Sequence, residues 1–585
     1  MASPASVSQS DQGTNKRERP SSSVNGDGTY SLLELAQMRH KRRALKEAGL
    51  EINNERPGGE SASFQKHAKE SFHLLSLPGA APQTSGSFSF AQGLWSAAAP
   101  PPELAVAMNF LVDLPYIDAL CAPWRLARRK VVVAPAGDRA RVAPYANAQE
   151  NLTWFHPEMP DAFGCHHAKC LMLFSKTGMR LVVHTANYCK CDCQEKVQGA
   201  FVQDFPRRQS NSNSSVEDTF RDTLVSYVRE LDKVISPVGR VGAFGGNRLA
   251  AVGSETWMGF QNLAELLAHH DFTGARADLT ASVPGRHTGP NFARWGSKAI
   301  ARLLRRYGNG RSGSSAVASS SSCSDPWANE ARIVAQCSSL GSIPETLLHE
   351  IEADLRGGGG GGGGRGFSLV WPRVSEVAQC REGWNGGNSI PGKQNNVVRN
   401  HLTTRMCQFW DVAVAAPKPA VPHIKTYCRV SSDGKRLAWA WLTSANLSGA
   451  ALGKAEKKNT QVFIRHFEMG VLFTAERCAA YASLVAAGDL RSSFQADVAA
   501  PRTLGGGGGG GAKSEPPALI PTQHAASSTN ACDVLVPLPY PLPPRPYLKM
   551  DRPWYTDGAA ENTRDRNGHT QVQALQHYQL TGHNP

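Results

Sequence analysis

Long apolar runs are missing from this 585-residue chain. None approaches the ~20 residues that a membrane-spanning helix needs, so no transmembrane segment and no membrane partner is expected. The stretch Met1–Gly28 is polar and Ser-rich. It has no hydrophobic region of the kind a secretory signal carries, and it is not read as one. Cysteines number 13. The set is odd and scattered in a large chain, which speaks for reduced thiols in an intracellular compartment rather than a disulfide framework. The densest group, Cys189, Cys191 and Cys193 with Cys165 and Cys170 upstream, lacks the second pair that a structural zinc site uses. Clusters of carboxylates that would hold two catalytic metals are missing as well. No metal and no cofactor is therefore expected. Gly387–Lys393 fits G-x4-G-K, but Gln394 follows where a phosphate-binding loop has Ser or Thr, and no clear strand precedes it.

What the chain does have is positive charge: 63 Lys and Arg against 49 Asp and Glu, a formal +14. A surplus of that size favours polyanionic partners such as nucleic acid or an anionic membrane. Lys16 to Arg19 and Arg39 to Arg43 are basic clusters. They suit nuclear address signals, or equally a solvated tail and a solvated helix face. Apolar residues make up 41%, enough at this length for two or three domains with their own cores. Residues 1–66 read as a disordered basic and Ser-rich tail, broken by one helix near Leu32–Ala48. Lys130–Ala134 and Leu181–His184 are expected strands, and Phe220–Ile235 an expected helix. Ser312–Ser324, Gly357–Gly364 and Gly505–Gly511 read as flexible insertions in surface loops. Val536–Pro544 is proline-rich and is read as an extended segment lying on the protein's own surface.

The chemistry lies in an internal repeat. Residues 166–187 read HHAKCLMLFSKTGMRLVVHTAN, and residues 423–446 read HIKTYCRVSSDGKRLAWAWLTSAN. Each copy has H-x-K, an apolar stretch, a Gly turn, a second apolar strand and a small-residue turn ending in Asn. The Lys-to-Asn spacing is 18 in the first copy and 21 in the second. Residues i and i+2 of a strand share a face, so His167 points with Lys169 and His423 with Lys425. The returning strand can bring Asn187 and Asn446 beside their own pairs. Two copies face to face would surround one point with two imidazoles, two ammoniums and two carboxamides. That set suits phosphodiester cleavage. One His attacks phosphorus, and the other protonates the leaving oxygen and then activates water. Lysines and asparagines hold the non-bridging oxygens, so the scheme needs no metal.

The paired motifs resemble the phospholipase D superfamily. Phospholipases D proper carry an Asp five residues after the motif Lys, where this chain has Phe174 and Val430. The H-x-K…N form resembles the tyrosyl-DNA phosphodiesterase branch instead. Phe163–His167, Ser338–Ser342, Gly386–Pro391, Glu468–Phe473 and Asp551–Trp554 are similar to segments of that branch. The resemblance implies an α/β fold of two similar phospholipase D-like halves, each a mixed sheet flanked by helices, related by a pseudo-two-fold with the active site at the seam. It places the halves at residues 67–275 and 276–585. It makes His167 the nucleophile and His423 the general acid and base. Lys169, Lys425, Asn187 and Asn446 would hold phosphoryl oxygens, and Gln198 and Glu468 would orient the imidazoles. Phe163 would stack on a DNA base, and Phe110 stands where the family has Tyr. Ser339, Ser342 and Ser389 would contact the DNA backbone, and Pro391 and Trp554 would line the adduct side. The implied substrate is DNA, single-stranded or at duplex 3′ ends, carrying a 3′ tyrosyl or peptide adduct such as a topoisomerase I-derived peptide. A monomeric nuclear enzyme is expected, with an organellar pool left open. The other readings are a different superfamily nuclease or phosphodiesterase, and a catalytically silent DNA-binding protein.

Overall fold

In a computed structural model of the chain, the described residues are 71–78, 87–91, 94–95, 100–135, 142–144, 149–208, 218–238, 257–307, 331–358, 366–410, 419–486, 518–527, 533–558 and 563–581. The chain divides between Glu55 and Arg56, and every described residue belongs to the second unit. The tail at 1–66 with its basic clusters, the helix expected near Leu32–Ala48, the Ser-rich insertion, the Gly505–Gly511 run and most of Gly357–Gly364 lie outside the described residues.

Two large mixed sheets dominate. The first uses β1 (Phe72–Leu75), β2 (Ser87–Phe88), β3 (Leu104–Met108), β4 (Arg129–Val133), β5 (Leu152–Pro157), β6 (Cys170–Phe174), β7 (Gly178–His184), β9 (Gly199–Pro206) and β10 (Ile235–Pro237), in the order β10-β5-β4-β3-β6-β7-β9-β1-β2. Between β7 and β9 lies the short β8 (Lys196–Val197). The second sheet uses β11 (Asp278–Ser282), β13 (Arg332–Gln336), β14 (Phe367–Val370), β15 (Met406–Cys407), β17 (Thr426–Val430), β18 (Leu437–Thr443) and β21 (Glu468–Thr474), in the order β11-β21-β18-β17-β13-β14-β15. The labels β12 (Gly285–Thr288), β16 (Val421–Pro422), β19 (Lys454–Glu456) and β20 (Gln461–Ile464) mark strands outside that path, and β22 (Leu519–Pro521) and β23 (Val534–Val536) extend it at β18.

The sheets repeat one plan. In the first, β3, β4 and β5 are parallel, and β3-β6-β7-β9-β1 continues antiparallel. In the second, β13, β14 and β15 are parallel, and β13-β17-β18-β21-β11 continues antiparallel. Strand follows strand in the same chain order, so the sequence repeat is part of a repeated topology.

Strand composition explains the layering. β3 (LAVAM), β6 (CLMLF) and β7 (GMRLVVH) are buried along their whole lengths, as strands covered on both faces must be. Val106 and Met108 face a core shared with Val334, Ala440, Leu442 and Val471 of the second sheet. Ala105 and Ala107 face an outer core with Ile117 and Trp124. Ile333 and Ala335 of β13 face the other outer core, with Leu304, Leu348 and Ile351. Helices cover these faces: α1 (Leu114–Leu120), α2 (Lys190–Glu195), α3 (Thr219–Asp232), α4 (Gly296–Arg306) and α5 (Glu345–Leu355). Asp218 caps α3 by accepting from the Arg221 amide at 3.1 Å, and Phe220, Leu224, Tyr227, Val228 and Leu231 form its buried stripe.

The expected strand at Lys130–Ala134 is β4, and the expected strand at Leu181–His184 is the end of a longer β7. The helix expected over Phe220–Ile235 stops at Asp232, because Ile235–Pro237 leaves it to pair antiparallel with β5. The proline-rich stretch does lie on the protein itself: Val536, Tyr540 and Leu542 are buried in the shared core.

Candidate active site

The two H-x-K motifs immediately precede β6 and β17, at the equivalent end of each sheet. After each pair the chain runs out along one strand and returns along the next. His184 N then donates to Lys169 O at 3.0 Å, and Thr443 N donates to Lys425 O at 3.2 Å. The return requires a turn, which Gly434 makes at φ +78°. Asn187 and Asn446 follow the returning strands and come back beside their motifs.

Each copy also lends the other a support. His167 N donates to Phe467 O, and Phe467 N donates to Cys165 O, both at 2.9 Å. In the mirrored place, His423 N and Ile424 N donate to Val197 O at 3.0 and 2.9 Å, where β16 pairs with β8. The residue after each support orients an imidazole. Glu468 Oε2 lies 2.9 Å from His167 Nδ1, and Gln198 Nε2 lies 3.1 Å from His423 Nδ1. The hydroxyls two residues before the asparagines hold those orienting groups: Ser444 donates to Glu468, and Thr185 donates to Gln198 Oε1 at 2.7 Å.

His423 has a second partner that spacing did not reveal. Asp192 Oδ2 lies 3.1 Å from the same Nδ1 and accepts the Asn187 amide at 2.7 Å. An amide N–H and a carboxylate cannot both be satisfied by one ring nitrogen. Asp192 is ionised: burial pushes its pKa up, but the His423 and Asn187 hydrogen bonds together hold it below the usual carboxylate range. The Nδ1 proton therefore goes to Asp192. Glu468 is held low in the same way, burial being overcome by His167 and His466. Each imidazole is left with Nδ1–H on a carboxylate and Nε2 available for chemistry.

Electrostatics shows the motifs converge. Burial first, with Lys169 and Lys425 adding to it, lowers His167 to about 3, against the pull of Glu468. His423 falls to about 4 for the same reasons, against Asp192. Each imidazole thus feels the lysine of the opposite copy. Lys169 drops to about 8, chiefly through burial, and Lys425 to about 7 through burial and the charge of Lys169. Both ammoniums donate to the carbonyl of their own motif histidine, Lys169 at 2.9 Å. Asn446 Oδ1 accepts from the Ser338 and Ser339 amides, each at 3.0 Å, which fixes Nδ2 as the end free to donate. Among the described residues, Asn187 Oδ1 is buried without a hydrogen-bond partner.

The peripheral residues divide. The Phe110 ring stands edge-on to His167 at 5.4 Å and under Lys169 Nζ at 5.6 Å, so it belongs to the site. Phe163 is 77% exposed, with Arg465 over its ring at 5.4 Å. Ser339 and Ser389 are half-buried, and Ser342 and Pro391 exposed. Trp554 is 1% exposed, stacked on Trp384 at 6.0 Å, with Nε1 donating to Ile390 O at 3.2 Å. Its ring packs the Gly386–Pro391 loop from behind. Gly387 is glycine for that reason, since a Cβ there would come within 2.0 Å of the indole. Among the described residues, Cys189, Cys191 and Asp192 bring three possible donor atoms within 4.8 Å of one another. That is short of a four-donor structural zinc set, and the carboxylate is already engaged by His423.

A duplicated mixed α/β fold with one His-Lys-Asn set from each copy defines a phosphodiesterase hydrolase of phospholipase D-like architecture. The profile of the tyrosyl-DNA phosphodiesterase family matches residues 97–548. The chain belongs to that family. Tyrosyl-DNA phosphodiesterase 1 of Arabidopsis thaliana is 28% identical over 460 residues, covering 77% of this chain and 69% of the relative. A probable tyrosyl-DNA phosphodiesterase of Caenorhabditis elegans is 28% identical over 378 residues, covering 63% and 75%. The fold matches the crystal structure of the yeast tyrosyl-DNA phosphodiesterase with a TM-score of 0.53 at 14% identity, over 83% of this chain and 100% of that one.

Proposed function

We propose that this protein hydrolyses 3′-phosphotyrosyl bonds and related 3′ adducts of DNA through a phosphohistidine intermediate. The observation that carries the reading is the reciprocal pairing: His167 with Glu468 of the second copy, and His423 with Asp192 of the first. Neutral His167 attacks phosphorus through Nε2 while the bond to the tyrosyl oxygen breaks. His423, protonated on Nε2 once the anionic phosphate is bound, gives that proton to the leaving oxygen. It then takes a proton from water as the water oxygen attacks phosphorus, the P–N bond breaks, and a 3′-phosphate leaves. Lys169, Lys425, Asn187 and Asn446 hold the charge that develops on the non-bridging oxygens.

Phe163 offers an exposed ring for base stacking, and Ser339, Ser342 and Ser389 polar contacts for the DNA backbone. The substrate source would be a topoisomerase I-derived peptide left on a 3′ end. A monomer acting in the nucleus fits the basic surplus of the chain.

The test is a labelled oligonucleotide with a 3′-phosphotyrosine, incubated with the protein in excess EDTA and resolved on a gel. A 3′-phosphate product supports the reading. Bound DNA without product moves the assignment to another phosphodiester.

A further inference from the structure

Cys189 and Cys191 lie on the segment that supports His423. Residues two apart on a helix point to nearly opposite sides, at roughly 200°. Cys189 is the cap of α2 instead, with extended backbone at φ −144° and ψ 158°. That geometry turns its thiol back onto Cys191, with the sulfurs 3.3 Å apart. Both residues are half-buried, so a small oxidant can reach them. The two sulfurs share one hydrogen bond, and this contact, aided by Lys196 and opposed by burial and Asp192, moves the Cys191 pKa down. A lowered pKa favours the thiolate, the reactive form, at Cys191. Cys193 is different: it is buried and donates to Asn187 O at 3.2 Å.

We propose that Cys189 and Cys191 form a reversible oxidation site that controls His423 through Asp192. The inference rests on the general acid and base role given to His423 above. Hydrogen peroxide is the oxidant. The Cys191 thiolate attacks one peroxide oxygen, the O–O bond breaks, and hydroxide leaves. Cys189 sulfur then attacks the Cys191 sulfenic acid, an S–S bond forms, and the S–O bond breaks. Water leaves with the Cys189 proton. A reducing dithiol restores both thiols by exchange. Closing the sulfurs to the ~2.05 Å of a disulfide moves the first turn of α2. Asp192 directly follows Cys191 in that turn, and its 3.1 Å contact with His423 is what the movement disturbs. His167 keeps its own support on Glu468, so the oxidised enzyme would still attack phosphorus and stall at the second step.

The full chain is treated with hydrogen peroxide, alkylated and digested, and its peptides are weighed. The expected product is a Cys189–Cys191 disulfide, lost on reduction and absent from the Cys189→Ser and Cys191→Ser variants. The same samples are then given the 3′-phosphotyrosyl oligonucleotide. Oxidation is expected to slow turnover about tenfold and to build up a covalent DNA–protein species, both reversed by dithiothreitol and both missing in the variants. Absence of the disulfide overturns the site. A disulfide that leaves turnover unchanged overturns its control of His423. A reduced enzyme inactive on this oligonucleotide would count against the proposed function, and the peptide masses would still decide the oxidation site.

Discussion

One oxygen of Asp192 joins two parts of the site: Oδ2 takes the amide hydrogen of Asn187 at 2.7 Å and lies 3.1 Å from Nδ1 of His423. The carboxylate therefore sets the position of the Asn187 loop and the proton state of an imidazole together. On the other side, Glu468 holds His167 at 2.9 Å and is itself held by Ser444. The two histidines are thus supported alike, although they are to act in sequence.

Asp192→Asn keeps the shape of the side chain and removes its charge. His423 then loses the group that favours its protonated form, so leaving-group protonation and water activation both weaken. The expected result is a kcat lower by about 10- to 100-fold with a smaller change in KM, and a covalent DNA–protein species visible on a denaturing gel. Wild-type turnover in this variant would mean that Gln198 alone orients His423.

The histidines separate the two steps. His167→Ala removes the attacking nitrogen and is expected to abolish turnover with no trapped species. His423→Ala leaves attack possible, because a phenolate can depart without a proton, and slows hydrolysis of the intermediate by about 10²–10⁴. Rapid-quench gels of both variants test this pair. A trapped species in His167→Ala, or none in His423→Ala, reverses or removes the assignment.

The sequence made His167, Lys169, His423 and Lys425 legible because the pattern repeats at strand spacing, and strand periodicity dictates which side chains share a face. Asn187 and Asn446 were legible because a strand must return to its neighbour. Asp192 was not: it sits in a C-x-C-x-C stretch with no counterpart in the second copy, and its partner is far away in the chain. The β8–β16 pairing and the bonds of His423 N and Ile424 N to Val197 O bring them together. The burial of Trp554 was not legible either: Trp384 and Gly387 enclose its ring, and packing by distant residues is invisible in a short match. The end of α3 was misplaced because an edge strand of the first sheet claims Ile235–Pro237.

Phe163 gives a binding prediction free of chemistry. Its ring is 77% exposed, with Arg465 over one face at 5.4 Å. Phe163→Ala is expected to weaken oligonucleotide binding by about 1–3 kcal/mol, the range for loss of one stacked base, with kcat at saturating DNA unchanged. Fluorescence anisotropy with single-stranded DNA measures the first and steady-state kinetics the second. A kcat effect without a binding effect would place Phe163 in the reaction rather than in DNA recognition.

Lys169 and Lys425 tie activity to pH and to stability with opposite signs. The buried pair loses its first proton near the value of about 7 set by Lys425 and its second near the value of about 8 set by Lys169. Those protons bind phosphate, so kcat/KM should fall as pH rises through this range. Bound phosphate raises both pKa values, which moves the alkaline limb of kcat to higher pH. For stability, Lys425 titrates at about 7 in the fold against 10.5 in the open chain. The unfolded state therefore binds more protons between those values, and this lysine destabilises the fold most at low pH, less as pH rises. Lys425→Met should abolish turnover while stabilising the fold by about 1–3 kcal/mol near pH 6. The gain should shrink near pH 9, where the wild-type lysine is already neutral in the fold. Thermal melts of both proteins at the two pH values decide it: an equal gain at both would mean that packing, not buried charge, separates them.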